Sequence, residues 1–151
     1  MRIRPARRED VGVLLEIENS SFRTDKLTRR KLRHLMTRGN CVLLVAVANR
    51  RVAGYALVLF RRGASSARIY GIAVRSSERG RGLGTHLMLA AERAARRRGA
   101  RRLTLETDPS NGGALTVYLR LGFRRVARLG PYYEDGTPAD RYAKGLTKPA
   151  R

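Results

Sequence analysis

Six residues, Arg79-Gly80-Arg81-Gly82-Leu83-Gly84, constrain this chain more than any other stretch. They stand between an apolar run, Ile69 to Val74, that reads as a buried strand, and an amphipathic run, Leu83 to Arg98, that reads as a helix. A glycine-rich turn entering a helix N-terminus offers N–H groups with no intrahelical partner and the positive end of the helix dipole. Such a turn suits a phosphate or pyrophosphate. Two familiar phosphate loops are excluded. No Gly is followed by Lys and then Ser or Thr, so there is no P-loop. Thr85 stands where a dinucleotide fingerprint counted from Gly80 needs its third glycine, and the loop lies mid-chain rather than after a first strand. The apolar, periodic flanks argue against a disordered Arg-Gly tail.

The order of elements around the loop sets the fold class. Arg2 to Pro5 reads as a short strand, Arg8 to Ser20 and Thr28 to Arg38 as helices, the second ended by Gly39-Asn40. Val42 to Ala48 and Val52 to Phe60 are apolar and β-rich and read as an antiparallel hairpin across Asn49-Arg50-Arg51, with a further turn at Gly63 to Ser66. The helix after the loop turns Leu83, Leu87, Ala90, Ala91, Ala94 and Ala95 inward. Leu103 to Thr107 is a strand, Asn111 to Leu121 a helix stopped by Gly122, and Phe123 to Ala127 with Arg141 to Leu146 a closing pair of strands. The strand–helix–strand unit makes its two strands parallel and the hairpins make the others antiparallel. The expectation is one α/β domain over residues 1–151: a single mixed sheet with helices on both faces.

Composition narrows the chemistry. One cysteine, Cys41, excludes an internal disulfide framework, and His34 and His86 lack ligand-like spacing, so no metal site is expected. No run approaches the ~18 apolar residues of a membrane span, and the basic start is not followed by a signal-peptide core; a cytoplasmic protein with no membrane partner is expected. Lys and Arg number 33 against 12 acids, a net charge of +21. Such a field draws anions. The basic residues form scattered clusters with few aromatics between them, which permits nucleic-acid binding without specifying it.

A second constellation lies downstream: Glu106-Thr107-Asp108-Pro109-Ser110-Asn111, then Ala114, Tyr118 and Leu121-Gly122-Phe123. Together with the R-x-x-G-x-G stretch from Arg79 to Gly84, it resembles the GNAT superfamily of N-acetyltransferases. More narrowly it resembles the protein N-terminal acetyltransferases, including the ribosomal-protein-alanine group. The pattern there is a strand Glu, a Ser-Asn turn, a helix Tyr and Leu-Gly-Phe, and here Glu106 and Tyr118 keep the matching separation of 12 residues. The loop Gly130-Pro131-Tyr132-Tyr133-Glu134-Asp135-Gly136 resembles the tyrosine-bearing hairpin that closes the peptide site in that group. Two departures stand out: Phe22 is followed by polar residues where an aromatic-rich substrate loop is common, and Arg75-Ser76-Ser77 replaces a usual proline turn.

The resemblance implies an acetyl-CoA-dependent N-acetyltransferase with Glu106 as base and Tyr118 as acid. It implies donor contacts from Ile72, Ala73 and Val74, with an oxyanion N–H near Ala73 or Val74. It further implies that the backbone of Arg79, Gly80, Arg81, Gly82, Leu83, Gly84 and Thr85 holds the pyrophosphate, that Asn111 and Tyr118 lie beside the pantetheine arm, and that Phe22, Tyr132 and Tyr133 contact the acceptor. The chemistry agrees with these residue types. An α-amino group of pKa ~8 is neutral about a tenth of the time at pH 7, and a tyrosine of pKa ~10 can serve a thiolate leaving group of ~8.5. The residues alone leave rivals open: an Arg-paired Glu106, a core Tyr118, and an Asn111 that only caps a helix. The implied acceptor is a protein or peptide N-terminus, ribosomal proteins among the candidates, and the protein a monomer or homodimer. A small-amine acetyltransferase and a non-catalytic ribosome- or nucleic-acid-binding module of the same fold are the alternatives.

Overall fold

The computed structural model describes residues 1–21 and 26–146. Its strands are β1 (Arg2–Pro5), β2 (Cys41–Ala48), β3 (Arg51–Phe60), β4 (Ser66–Val74), β5 (Arg102–Thr107), β6 (Arg124–Leu129) and β7 (Ala139–Gly145). Its helices are α1 (Val11–Ser21), entered through a 3₁₀ turn at Arg8–Asp10, then α2 (Arg29–Arg38), α3 (Leu83–Arg97) and α4 (Gly112–Arg120). All seven strands join in one sheet, ordered β1-β2-β3-β4-β5-β7-β6. Every pairing is antiparallel except β4 with β5, the pair that flanks the glycine loop and α3. The expected mixed α/β sheet is thus the one formed.

Helices cover both faces, so β2 and β3 are apolar almost throughout rather than alternating. Alternate residues of β3 feed two separate cores. Tyr55 and Leu57 join Leu14 and Ile17 of α1 and Leu32 of α2. Ala56 and Val58 join Leu87, Met88 and Ala91 of α3, and Leu115 and Tyr118 of α4 pack against that second cluster. All six α3 residues expected to point inward are buried. Gly54 makes the close fit on this face: a Cβ there would lie 2.7 Å from the Ala73 carbonyl oxygen and 3.1 Å from Leu87 Cδ1.

The β2–β3 hairpin turns on two residues, Asn49 (φ 52°) and Arg50 (φ 64°), and Arg51 already belongs to β3. Left-handed backbone at both central positions is the turn whose twist suits a two-residue hairpin. Two strand starts differ from the sequence reading by more than one residue. β4 begins at Ser66 rather than Ile69, and β7 at Ala139 rather than Arg141. In both cases backbone pairing, with β5 or β6, recruits residues that carry no apolar signal.

The β4–β5 seam positions the site. Only Ser66↔Arg102 through Ile69↔Leu105 are in register. Leu57 then pairs with Gly71 and Val58 with Ile69, which leaves Tyr70 as a bulge in β4. Beyond it β4 follows β3 to Val74 while β5 follows β7 to Thr107, so the two parallel strands part. Among the described residues no helix is long and apolar enough to cross a membrane.

Candidate active site

The parting of β4 and β5 opens a cleft of about 790 Å³. It brings together Ile72, Glu106, Asn111, Tyr118, Tyr132 and Tyr133 of the expected site. Ala73 and Val74 do not line it: Ala73 packs in the α1–α2 core and Val74 against the α3 core, so any contribution of theirs is from the backbone. Phe22 lies outside the described residues.

The glycine loop stands beyond the end of β4 and is not part of the cleft lining. Gly80 and Gly82 sit at φ 81° and 80°, conformations that a side chain at either position would strain. Gly82 caps α3, and Leu83, Gly84 and Thr85 form its first turn, where N–H groups lack intrahelical acceptors. The Leu83 side chain is buried in the core. Neither loop guanidinium is extended toward a ligand. Arg79 Nε donates to the Val74 carbonyl at 3.0 Å and its Nη2 to Ser21 Oγ at 3.3 Å, while Arg81 lies 3.5 Å from the buried Glu78 carboxylate. Both loop guanidiniums thus have partners within the chain.

Glu106, next to last in β5, has its side chain only 4% exposed and both oxygens engaged. Arg68 Nε donates to Oε1 at 2.6 Å and Arg141 Nε to Oε2 at 2.8 Å. Arg68 also donates through Nη2 to the Tyr132 hydroxyl at 2.9 Å, tying β4 to the tyrosine loop. Tyr132 packs edge-on against Tyr133 with ring centroids 5.0 Å apart, and both backbone N–H groups donate to the Thr137 carbonyl. Tyr118 packs edge-on against Phe123, and burial pushes its hydroxyl up to about 12. The Asn111 side chain accepts from the Ala114 N–H, so it caps α4 at the cleft wall, the simpler of its two expected roles.

A second buried carboxylate borders the cleft. The Tyr55 hydroxyl donates to Glu18 Oε1, and the Leu27 N–H donates to Glu18 Oε2 at 2.8 Å. Burial and the adjacent carboxylate hold the Tyr55 hydroxyl well above its ordinary range. Gly71 leaves room for it: a Cβ there would lie 3.1 Å from that oxygen. No sequence pattern pointed to this pair; arginine pairing of Glu106 was expected as one alternative, but not that the partners are Arg68 and Arg141. Glu106 and Arg141 are direct cross-strand partners, which follows only from the β5–β7 register. Among the described residues no group of three or more His, Cys, Asp or Glu is placed to hold a metal.

Comparison with known proteins agrees with this geometry. The acetyltransferase (GNAT) family model matches residues 11–123. N-alpha-acetyltransferase 30 of Schizosaccharomyces pombe is 42% identical over 71 residues, which are 47% of this chain and 47% of that protein, so the match spans about half of that relative. An N-alpha-acetyltransferase of Sulfurisphaera tokodaii is 30% identical over 149 residues, 91% of this chain and 89% of its own. The crystal structure of the ribosomal-protein-S18-alanine N-acetyltransferase from Escherichia coli superposes with a TM-score of 0.85 at 22% identity, covering 99% of this chain and 96% of that one, and so shares the fold. A glycine loop opening α3, a central sheet parted beside it and a family match across three quarters of the chain converge: this protein belongs to the GNAT family of acetyltransferases.

Proposed function

We propose that this protein transfers the acetyl group of acetyl-CoA, the donor of its family, to the α-amino group of a peptide or protein N-terminus. The observation that carries this reading is one cleft shared by Glu106, Tyr118 and the tyrosine loop at the parting of β4 and β5. The chain's similarity to two N-alpha-acetyltransferases and a ribosomal-protein-alanine acetyltransferase supports the α-amine and makes a ribosomal protein a reasonable acceptor. The cytoplasm is the proposed compartment.

The residues divide the work as follows. Backbone N–H groups from Arg79 to Thr85 hold the pyrophosphate at the positive end of α3. The open edge of β4 from Tyr70 to Val74 receives the pantetheine arm and supplies the oxyanion N–H, with Asn111 fixing the start of α4 beside it. Tyr132 and Tyr133, together with Phe22, contact the first residues of the acceptor. The neutral amine attacks the thioester carbonyl carbon; the C–N bond forms and the C–S bond breaks. Arg68 and Arg141 hold Glu106 still and leave each carboxylate oxygen a further lone pair. Through a water on one of these, Glu106 takes the proton that the amine loses.

Tyr118 meets the departing thiolate. With its hydroxyl at about 12, full proton transfer to a thiol of ~8.5 is uphill by on the order of 5 kcal/mol. Tyr118 therefore stabilises the thiolate chiefly as a hydrogen-bond donor, and solvent completes its protonation.

The test uses purified protein, acetyl-CoA and short peptides that differ in their first residues. Each is paired with an N-terminally blocked copy carrying an internal lysine, and transfer is read by mass. Acetylation confined to free N-termini supports the α-amine. Acetylation of the blocked lysine copies reassigns the enzyme to side-chain amines. Donor binding without transfer to any peptide reassigns it to small amines.

A further inference from the structure

We infer that the end of the sheet opposite the cleft is a binding surface for the phosphodiester backbone of RNA. Two turns meet there. Residues 60–66, Phe-Arg-Arg-Gly-Ala-Ser-Ser, join β3 to β4, and residues 96–102, Arg-Arg-Arg-Gly-Ala-Arg-Arg, join α3 to β5. The Arg101 N–H donates to the Ser65 carbonyl at 2.7 Å, and Ser66 pairs with Arg102 across the seam. The C-terminus of α2 closes the group, since Arg98 Nη1 donates to the Gly39 carbonyl at 3.3 Å. Arg61, Arg62, Arg97, Arg98, Arg101 and Arg102 are all exposed, and neither turn contains an acid. Among the described residues none of the six is ion-paired with a carboxylate.

Helix C-termini attract cations, which accounts for Arg97 and Arg98. It does not account for Arg61, Arg62, Arg101 and Arg102, which belong to no helix. Six uncompensated guanidiniums on one small surface form a concentrated anion site. Guanidinium suits phosphate because its planar fork donates two parallel hydrogen bonds. The Arg98 guanidinium also lies 4.6 Å above the Phe60 ring, a plane of the kind on which unpaired bases stack.

The surface fits RNA better than its rivals. A protein partner needs an apolar centre, and the exposed large hydrophobic residues, Met1, Leu119, Val126 and Tyr132, lie on neither turn. Reading B-DNA calls for a helix or strand ribbon that enters the groove, whereas these segments are turns beside a helix C-terminus. Nine residues of β4 at ~3.3 Å each put the turns roughly 25–30 Å from the glycine loop, so a polyanion held here leaves the cleft open. The inference does not depend on which amine the cleft acetylates.

The experiment measures affinity of the full chain for a labelled 20-nucleotide oligouridylate between 50 and 200 mM salt. Six phosphate contacts at ~0.7 per contact give a log–log slope of about −4. The variant R61Q/R62Q/R101Q should lower it to about −2 and cost more than tenfold in affinity at the lower salt. The control R8Q/R50Q/R93Q removes the same charge from elsewhere and should cost less than threefold. Unchanged melting temperatures, and an unchanged shift with acetyl-CoA, establish that both variants are folded. Absence of RNA binding, equal losses in the two variants, equal affinity for duplex DNA of the same length, or tighter binding of polyglutamate of equal charge would each overturn the assignment.

Discussion

The two halves of β4 do opposite things with the same kind of backbone. From Ala67 to Ile69 the strand is paired on both sides, with β3 and with β5, and the seam ends in arginine-rich turns. From Tyr70 to Val74 it is paired on one side only, and the side it leaves open borders the cleft that holds Glu106 and Tyr118. A single bulge at Tyr70 separates the two regimes. Pairing turns a strand into scaffold; withholding one partner turns its continuation into a site. The buried Glu106 sits where the two halves meet: it draws one guanidinium from Arg68 in the paired half of β4 and another from Arg141, its cross-strand partner on β7.

The comparison breaks most visibly at Tyr118. Tyr118→Phe should lower kcat by about 100-fold while acetyl-CoA affinity stays within about twofold, because only the leaving thiolate needs the hydroxyl. Equal loss in both would make the residue a packing element. The same raised hydroxyl gives a pH signature. A donor must remain protonated, and one at about 12 does so across the working range, so kcat should not fall between pH 8 and 10.5. A fall centred near 10 would mean an ordinary tyrosine.

Gly54 tests what supports the open half from behind. Gly54→Ala places a methyl 2.7 Å from the Ala73 carbonyl and should cost about 1–3 kcal/mol in urea unfolding, with loss of donor affinity as β4 shifts. A neutral result would show that β4 and α3 can yield.

Glu106→Gln should lower kcat/KM about tenfold at pH 6 and less than twofold at pH 9, where the α-amine (pKa ~8) is already neutral. A loss independent of pH would leave Glu106 only as the anchor of two arginines. Least affected should be Arg102→Gln in the paired half, with stability changed by less than about 0.5 kcal/mol and kcat unaltered. A rate defect there would join the two halves that the bulge separates.

Much of this arrangement was legible in the chain. The inward face of α3, the β2–β3 hairpin and the parallel β4–β5 unit all follow from local periodicity and turn chemistry. Asn111 was legible as a cap because capping is a local event. What stayed hidden depends on partners far apart in sequence. Arg68 lies in a stretch without apolar pattern, Ser66-Ala67-Arg68, and became strand through pairing with β3 and β5. Arg141 reached Glu106 because β7 inserts between β5 and β6, an order that no window of sequence encodes. Tyr55 and Glu18 are 37 residues apart and belong to different elements.

The bulge at Tyr70 also has a consequence for solvent. In most sheets the amides of a central strand are among the last to exchange with deuterium, because only opening of the fold releases them. Here β4 is the fourth of seven strands, yet from Tyr70 to Val74 no strand pairs with the edge it turns toward β5. Deuterium should enter the middle of this sheet as early as it enters a loop, and an acyl donor lying along that edge should shut it out.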